Sequence, residues 1–173
     1  MSEIILRNAI VADQWQVLRP EAGAVAEVPA GRVIVPLAVW TEHADALLAR
    51  GDVAVWLGPA DDPAALEAWM DRLPLVAVDF PKFTDGRGFS IAYLLRSRHG
   101  YKGELRAIGD VLPDQIFYMK RVGFDAFALR ADKDIRKTLA LLDTFSETYQ
   151  GSWDQPVPAF RRVARGQATE VRS

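Results

Sequence analysis

Cysteine is absent from the 173 residues. Disulfides, thiolate nucleophiles and cysteine-held zinc or iron–sulfur centres are therefore excluded. Histidine is scarce: only His43 and His99 occur, and neither stands with a serine in a nucleophile-elbow pattern. Both read as surface or capping residues. No apolar run approaches the roughly 18 residues that cross a bilayer. Formal charge is -2, so the chain as a whole is not built to attract nucleic acid or an anionic membrane. Dinucleotide GxGxxG and P-loop spacings are missing too. The N-terminus lacks the basic, apolar and small-residue regions of a signal peptide. A cytoplasmic protein is the simplest expectation.

What is present is a regular alternation of strands and helices. Residues 1–31 read as a β meander, with one strand over residues 4–11, a turn at Ala12-Asp13 and a second strand over residues 15–18. Pro20 to Gly23 makes the next break. An edge hairpin is expected here. From residue 32 the pattern becomes βα units through Gly151, with strands at 33–37, 53–57, 75–78, 104–108 and 124–129. Thr41, Asp62-Pro63, Pro113-Asp114 and Asp132 are read as helix starts. Leu66, Trp69, Met70 and Leu73 form one buried stripe, and Ile116, Met119 and Val122 another. Leu94 and Leu95 point inward, Arg96 and Arg98 outward. The last helix is expected to be long, turning Ile135, Leu139, Leu142, Phe145 and Tyr149 inward.

This predicts an α/β domain over residues 1–151, with a mainly parallel sheet of about five strands, covered on both faces, and an N-terminal hairpin. An open sheet is the first expectation and a partial (βα) barrel the alternative. Residues 152–173 read as an extended tail with a polar, basic and mobile end.

Right-handed crossovers put every strand-to-helix loop at the carboxyl end of the sheet, where α/β proteins bind ligands. Those loops hold Asp79, Lys82, Asp85, Arg87, Gly109, Asp110, Asp114, Gln115 and Arg130. The opposite loops hold mostly glycine and proline stops. Gly86-Arg87-Gly88 opens a helix, so with Lys82, Asp85 and Arg130 nearby an oxyanion could sit on it. The competing account is that Asp85 only caps the helix and pairs with Arg87. On residue types alone the competing account is favoured. Asp79 and Asp110 are the candidates for acid, base or metal ligand, with helix capping favoured over a metal. Phe80, Phe83, Asp114 and Gln115 are candidates for a contact surface.

The runs Phe80-Pro-Lys-Phe-Thr-Asp-Gly-Arg-Gly-Phe-Ser90, Tyr101-Lys-Gly-Glu-Leu-Arg-Ala-Ile-Gly-Asp-Val-Leu112, Asp114-Gln115 and Gly123-Phe-Asp-Ala-Phe127 resemble the bacterial domain-of-unknown-function family nine-three-four. Members carry the name of an oxidoreductase of sulfite reduction, because their genes lie beside those of assimilatory sulfite reductase. The resemblance implies a role in sulfur assimilation and cysteine biosynthesis. It supplies no catalytic set, and no cofactor motif stands behind the word oxidoreductase. Two functions follow as expectations: an accessory protein binding a sulfur oxyanion or adenylyl sulfate, and a non-enzymatic adaptor or assembly partner of sulfite reductase. A structural homodimer is a third.

Overall fold

A computed structural model describes residues 2–20 and 27–162 of the chain. Gly23 and the basic end at 163–173, both singled out in the sequence, lie outside the described residues. The first two strands, β1 (Glu3–Leu6) and β2 (Ala9–Ala12), form an antiparallel hairpin with Leu6 opposite Ala9. The turn is therefore at Arg7-Asn8, not at Ala12-Asp13. Both turn residues take positive φ, 46 and 65 degrees, as a two-residue hairpin of matching twist requires. The apolar residues on either side of that turn make the hairpin read as one strand. The next strand, β3 (Gln16–Val17), does not join it. It lies at the far edge of the sheet, parallel to β4 (Val33–Pro36), with Val17 opposite Ile34.

The βα units follow in sequence. Helix α1 (Leu37–Arg50) leads to β5 (Val53–Leu57), and a 3-10 helix (Pro63–Trp69) leads to β6 (Leu75–Phe80). Helix α2 (Arg87–Ser97), β7 (Glu104–Gly109), α3 (Ile116–Val122) and β8 (Ala126–Phe127) complete the repeat. The expected cap at Asp62 is present, its carboxylate accepting from the Ala64 N–H. Thr41 is not a cap: α1 starts at Leu37, because Pro36 ends β4 in a conformation that suits a helix start, and Thr41 Oγ1 donates to the Ala38 carbonyl. The final helix, α4 (Ile135–Ala140), is short and is capped by Asp134 rather than Asp132. A 3-10 turn at Leu141–Asp143 ends it, and the Thr144 hydroxyl donates back to Leu141. Phe145 and Tyr149 consequently leave the stripe and are 62% and 69% exposed. Past Gly151 the chain docks rather than trailing: Ser152 Oγ donates to the Arg121 carbonyl at 2.8 Å, and Ala159–Arg162 form one helical turn, α5.

Strand order is β2-β1-β8-β7-β6-β5-β4-β3. Each parallel strand is added beside the one before it, always on the same side. Right-handed crossovers then send every helix to one face, and the sheet curls around the other. The result is a half-barrel of eight strands, the alternative architecture of the two. Coverage by helices is one-sided, a correction to the two-sided covering expected of an open sheet. On the helical side Val33, Val55, Val78, Phe80 and Leu105 pack with Trp40, Leu66, Ile91, Leu95 and Met119. The concave side holds a smaller core of Ile34, Ala54, Leu75, Ala77 and Ile108, closed by Trp15, Val17 and Trp56. Among these Arg106, 2% exposed, bridges Asp13 at 2.8 Å and Glu104 at 2.6 Å. Burial pushes the Glu104 carboxyl above its ordinary range, and Arg106 opposes that rise.

Two side chains read as surface groups are buried instead. The His99 side chain is 6% exposed and lies 3.0 Å from Glu67, although the residue as a whole is half-buried. The Arg96 side chain is 4% exposed.

Tyr101 closes the amino end of the sheet. Its hydroxyl donates to the carbonyls of Leu73 at 3.1 Å and Glu104 at 3.3 Å. Burial pushes the phenol far above its ordinary 10.0. A raised folded-state pKa means stability that is whole below pH 10 and is lost as pH rises beyond it. The unfolded chain there releases a proton that the folded chain keeps. The slope should approach about 1.4 kcal/mol per pH unit. Denaturant titrations of wild type and Tyr101→Phe from about pH 9 to pH 11.5 should show that slope in wild type alone. Parallel curves would refute it.

Candidate functional site at the carboxyl end of the half-barrel

Three strand-to-helix loops meet at the carboxyl end, after β6, β7 and β8. They are tied through Phe83 and Asp110. The Phe83 N–H donates to Asp110 Oδ2 at 3.0 Å, and Gln115 Nε2 donates to the Phe83 carbonyl at 2.8 Å. Asp110 also holds Arg130 through Nη1 at 2.9 Å. Arg130 is shared with Asp132, at 2.6 and 2.9 Å, and Lys133 reaches the same carboxylate at 3.0 Å. This bonding drives the Asp132 carboxyl below and the Arg130 guanidinium above their ordinary values. Gly109 allows the turn, with φ at +92 degrees.

Asp79 is not in a loop. It is the fifth residue of β6 and only 5% exposed. Arg19 meets it with two bonds, Nη2 to Oδ1 at 2.6 Å and Nη1 to Oδ2 at 3.2 Å. The same guanidinium lies 5.5 Å from the Trp56 ring centroid, and Trp56 Nε1 donates to the Leu18 carbonyl at 3.0 Å. Charge and stacking together fix the arm that carries Arg19. Sequence reasoning missed Arg19 because 60 positions separate it from Asp79. It also missed Trp56 as a support.

Asp85 grips Arg87. Its Oδ1 accepts from the Arg87 N–H at 3.2 Å and Nε at 3.0 Å, and Oδ2 accepts from Nη2 at 2.7 Å. These bonds hold the Asp85 carboxyl down at about 2. Gly86 precedes the first residue of α2, and Gly88 lies where a Cβ would come within 2.6 Å of the Phe80 ring. Phe80 itself is fully buried against Phe89 and Phe124, so it is a core residue and not part of a contact surface. Phe83 is 48% exposed. Lys82 and Asp114 are exposed, and Lys82 has no ion pair among the described residues.

Asp79, Asp85 and Asp110 each face a different arginine and do not converge. Among the described residues no three His, Asp or Glu side chains gather as a metal site would need. No described helix is long and apolar enough to cross a membrane.

Fold and site together define a singly wound α/β half-barrel whose carboxyl end is fringed with carboxylate-backed arginines. The chain belongs to the DUF934 family of bacterial proteins of unknown function, whose family model matches residues 54–160. The matched stretch holds Asp79, Lys82, Asp85, Arg87, Asp110 and Arg130; Arg19 precedes it. Comparison with curated proteins returns no match.

Proposed function

We propose that this protein is an accessory factor of assimilatory sulfite reduction that binds an anionic ligand, a sulfur oxyanion or an adenylyl sulfate, at the carboxyl end of the half-barrel. The link to sulfur assimilation, and with it a cytoplasmic setting, comes from the family resemblance. One observation supports the anion. In three ion pairs the acid lies deeper than its arginine: side-chain exposure is 49% against 7% for Arg19–Asp79, 64% against 18% for Arg87–Asp85 and 43% against 22% for Arg130–Asp110. Asp79 and Asp85 aim their guanidiniums from beneath and leave outer N–H groups to solvent, whereas Arg130 is bonded through Nε, Nη1 and Nη2 to Asp110 below and to the more exposed Asp132. Supporting residues that fix a cation before the ligand arrives lower the cost of binding. Lys82, in the loop after β6, adds an exposed charge that has no ion pair among the described residues.

Thermal unfolding against sulfite, sulfate, phosphate, adenylyl sulfate, NADPH and FAD tests this reading. A ligand at 100 times its Kd stabilises by about 2.7 kcal/mol. One sulfur oxyanion or adenylyl sulfate should raise Tm, and Arg87→Ala should remove the response while leaving the fold intact. Full affinity in Arg87→Ala counts against the site.

A second reading rests on Phe83. Both of its backbone groups are clamped while its ring stays half exposed, the arrangement of an interface anchor. It supports an adaptor that docks on sulfite reductase. Co-elution with the reductase, lost in Phe83→Ala, is the expected result; separate elution at low and moderate salt would exclude it.

A further inference from the structure

An open cleft of about 300 Å³ lies at the other end of the sheet, beside the Arg7-Asn8 turn. Its floor is Phe124 and Phe127, each 2% exposed, and its wall is Trp153, 41% exposed. Arg96 stacks on Trp153 with its guanidinium 5.2 Å from the ring centroid, which fixes the wall in place. The rim carries both signs of charge: Arg7 and Lys120 against Asp125 and Asp154.

The rim pairs are loosely closed. Arg7 Nε reaches Asp125 Oδ2 only at 3.5 Å, Lys120 reaches Asp143 at 3.6 Å, and Asp154 meets Arg121 at 3.3 Å. Asp125 Oδ1 is committed to the Leu105 N–H at 2.7 Å. Oδ2 has no partner among the described residues shorter than the Arg7 contact. A stretched pair of opposite charges above an apolar floor is complementary to a molecule that carries both charges and an apolar group. The volume is at the small end of ligand pockets, roughly 300 to 1,000 Å³, which favours a compact ligand.

We propose that this cleft binds a free α-amino acid with an apolar side chain. The ammonium sits on Asp125 Oδ2, the carboxylate between Arg7 and Lys120, and the side chain on Phe124, Phe127 and Trp153. A peptide's amino terminus offers the ammonium without the nearby carboxylate, so the two sources separate in one experiment.

L-methionine, L-leucine and L-phenylalanine would be titrated into the full chain, alongside N-acetyl-L-methionine and L-methioninamide. Tm and tryptophan fluorescence are the readouts. At least one free amino acid should give a saturable response in both, and neither blocked form should match it. Arg7→Asn with Lys120→Gln should weaken binding at least about tenfold, from the loss of charge-assisted bonds. Asparagine tolerates the positive φ at position 7, so the turn should survive, and circular dichroism checks it. Trp153→Phe should abolish the fluorescence response. Arg87→Ala should keep it, which separates this cleft from the carboxyl-end site. No response to any free amino acid, equal response to the amide, or undiminished affinity in a folded double variant would each overturn the proposal.

Discussion

Arg96→Met should cost about 3 to 5 kcal/mol of stability, the loss expected when a buried charged group is taken from its partners. Arg96 sits near the end of α2 and donates to three carbonyls: Gly123 at 2.9 Å through Nε, and Tyr101 at 2.7 Å and Gly103 at 2.9 Å through Nη1. These carbonyls belong to the turn before β7 and the residue closing α3. One guanidinium thus fastens three chain segments that share no strand pairing there. Asp125 lies 3.4 Å from Nη2, and the rings of Tyr101 and Trp153 flank the plane at 5.6 and 5.2 Å. Burial lowers the basicity of the group, and Asp125 opposes that shift. Methionine fills much of the volume but leaves the carbonyls without donors in a buried place. Lysine restores charge but not the fork, so Arg96→Lys should recover only part of the loss. Urea denaturation should show a lower midpoint at unchanged slope. A loss below about 1 kcal/mol would mean that water replaces the guanidinium at little cost.

Arg96 also marks where sequence reasoning fails. A charged residue beside an apolar stripe reads as outward, because nothing local announces three carbonyls 5 to 27 positions away. Arg19 and Arg106 fail to read for the same reason: their acids are Asp79 and Asp13, 60 and 93 positions off. What is local was legible. Residues 53–57 and 75–78 show as strands because both their faces are covered, which makes the apolar run continuous; the last two residues of β6, Asp79 and Phe80, read as loop because the charge breaks that run. The Asp62-Pro63 start and the Gly123 stop show because capping needs those residue types. Half-barrel and open sheet share the same βα units, so the choice between them could not show. It rests on the strand order, in which each parallel strand pairs with the one before it in the chain. At the carboxyl end the loops and most of their charged residues were readable. The Asp85–Arg87 pair was among the readings and is present, but that Asp79 and Asp110 lie deeper than Arg19 and Arg130 was not legible, since depth is a property of the folded chain.

Gly109→Ala should be nearly as damaging, at about 3 to 4 kcal/mol, and its effect should converge on the carboxyl-end site. Gly109 is the last residue of β7 with φ at +92 degrees, a region that costs an L-residue roughly 1 to 2 kcal/mol. A Cβ there would also lie 2.6 Å from Asp79 Oδ1 and 2.9 Å from the Phe80 carbonyl carbon. The backbone cannot easily yield, because Phe80 O accepts from the Asp110 N–H at 2.7 Å. Such overlap adds roughly 1 to 3 kcal/mol. Relief in either direction breaks something at the site. Moving Asp79 pulls it from Arg19; moving the chain at 109 shifts Asp110 from Phe83 and Arg130. Tm should fall by about 10 °C, and any anion response of the wild type should vanish with it. Gly86→Ala is the matched control. It precedes α2 at φ −78 degrees, and a Cβ there meets nothing within 4 Å, so the change should stay within about 0.5 kcal/mol. Equal Tm values for the two variants would show that the close packing of Gly109 on Asp79 does not hold the carboxyl end in shape.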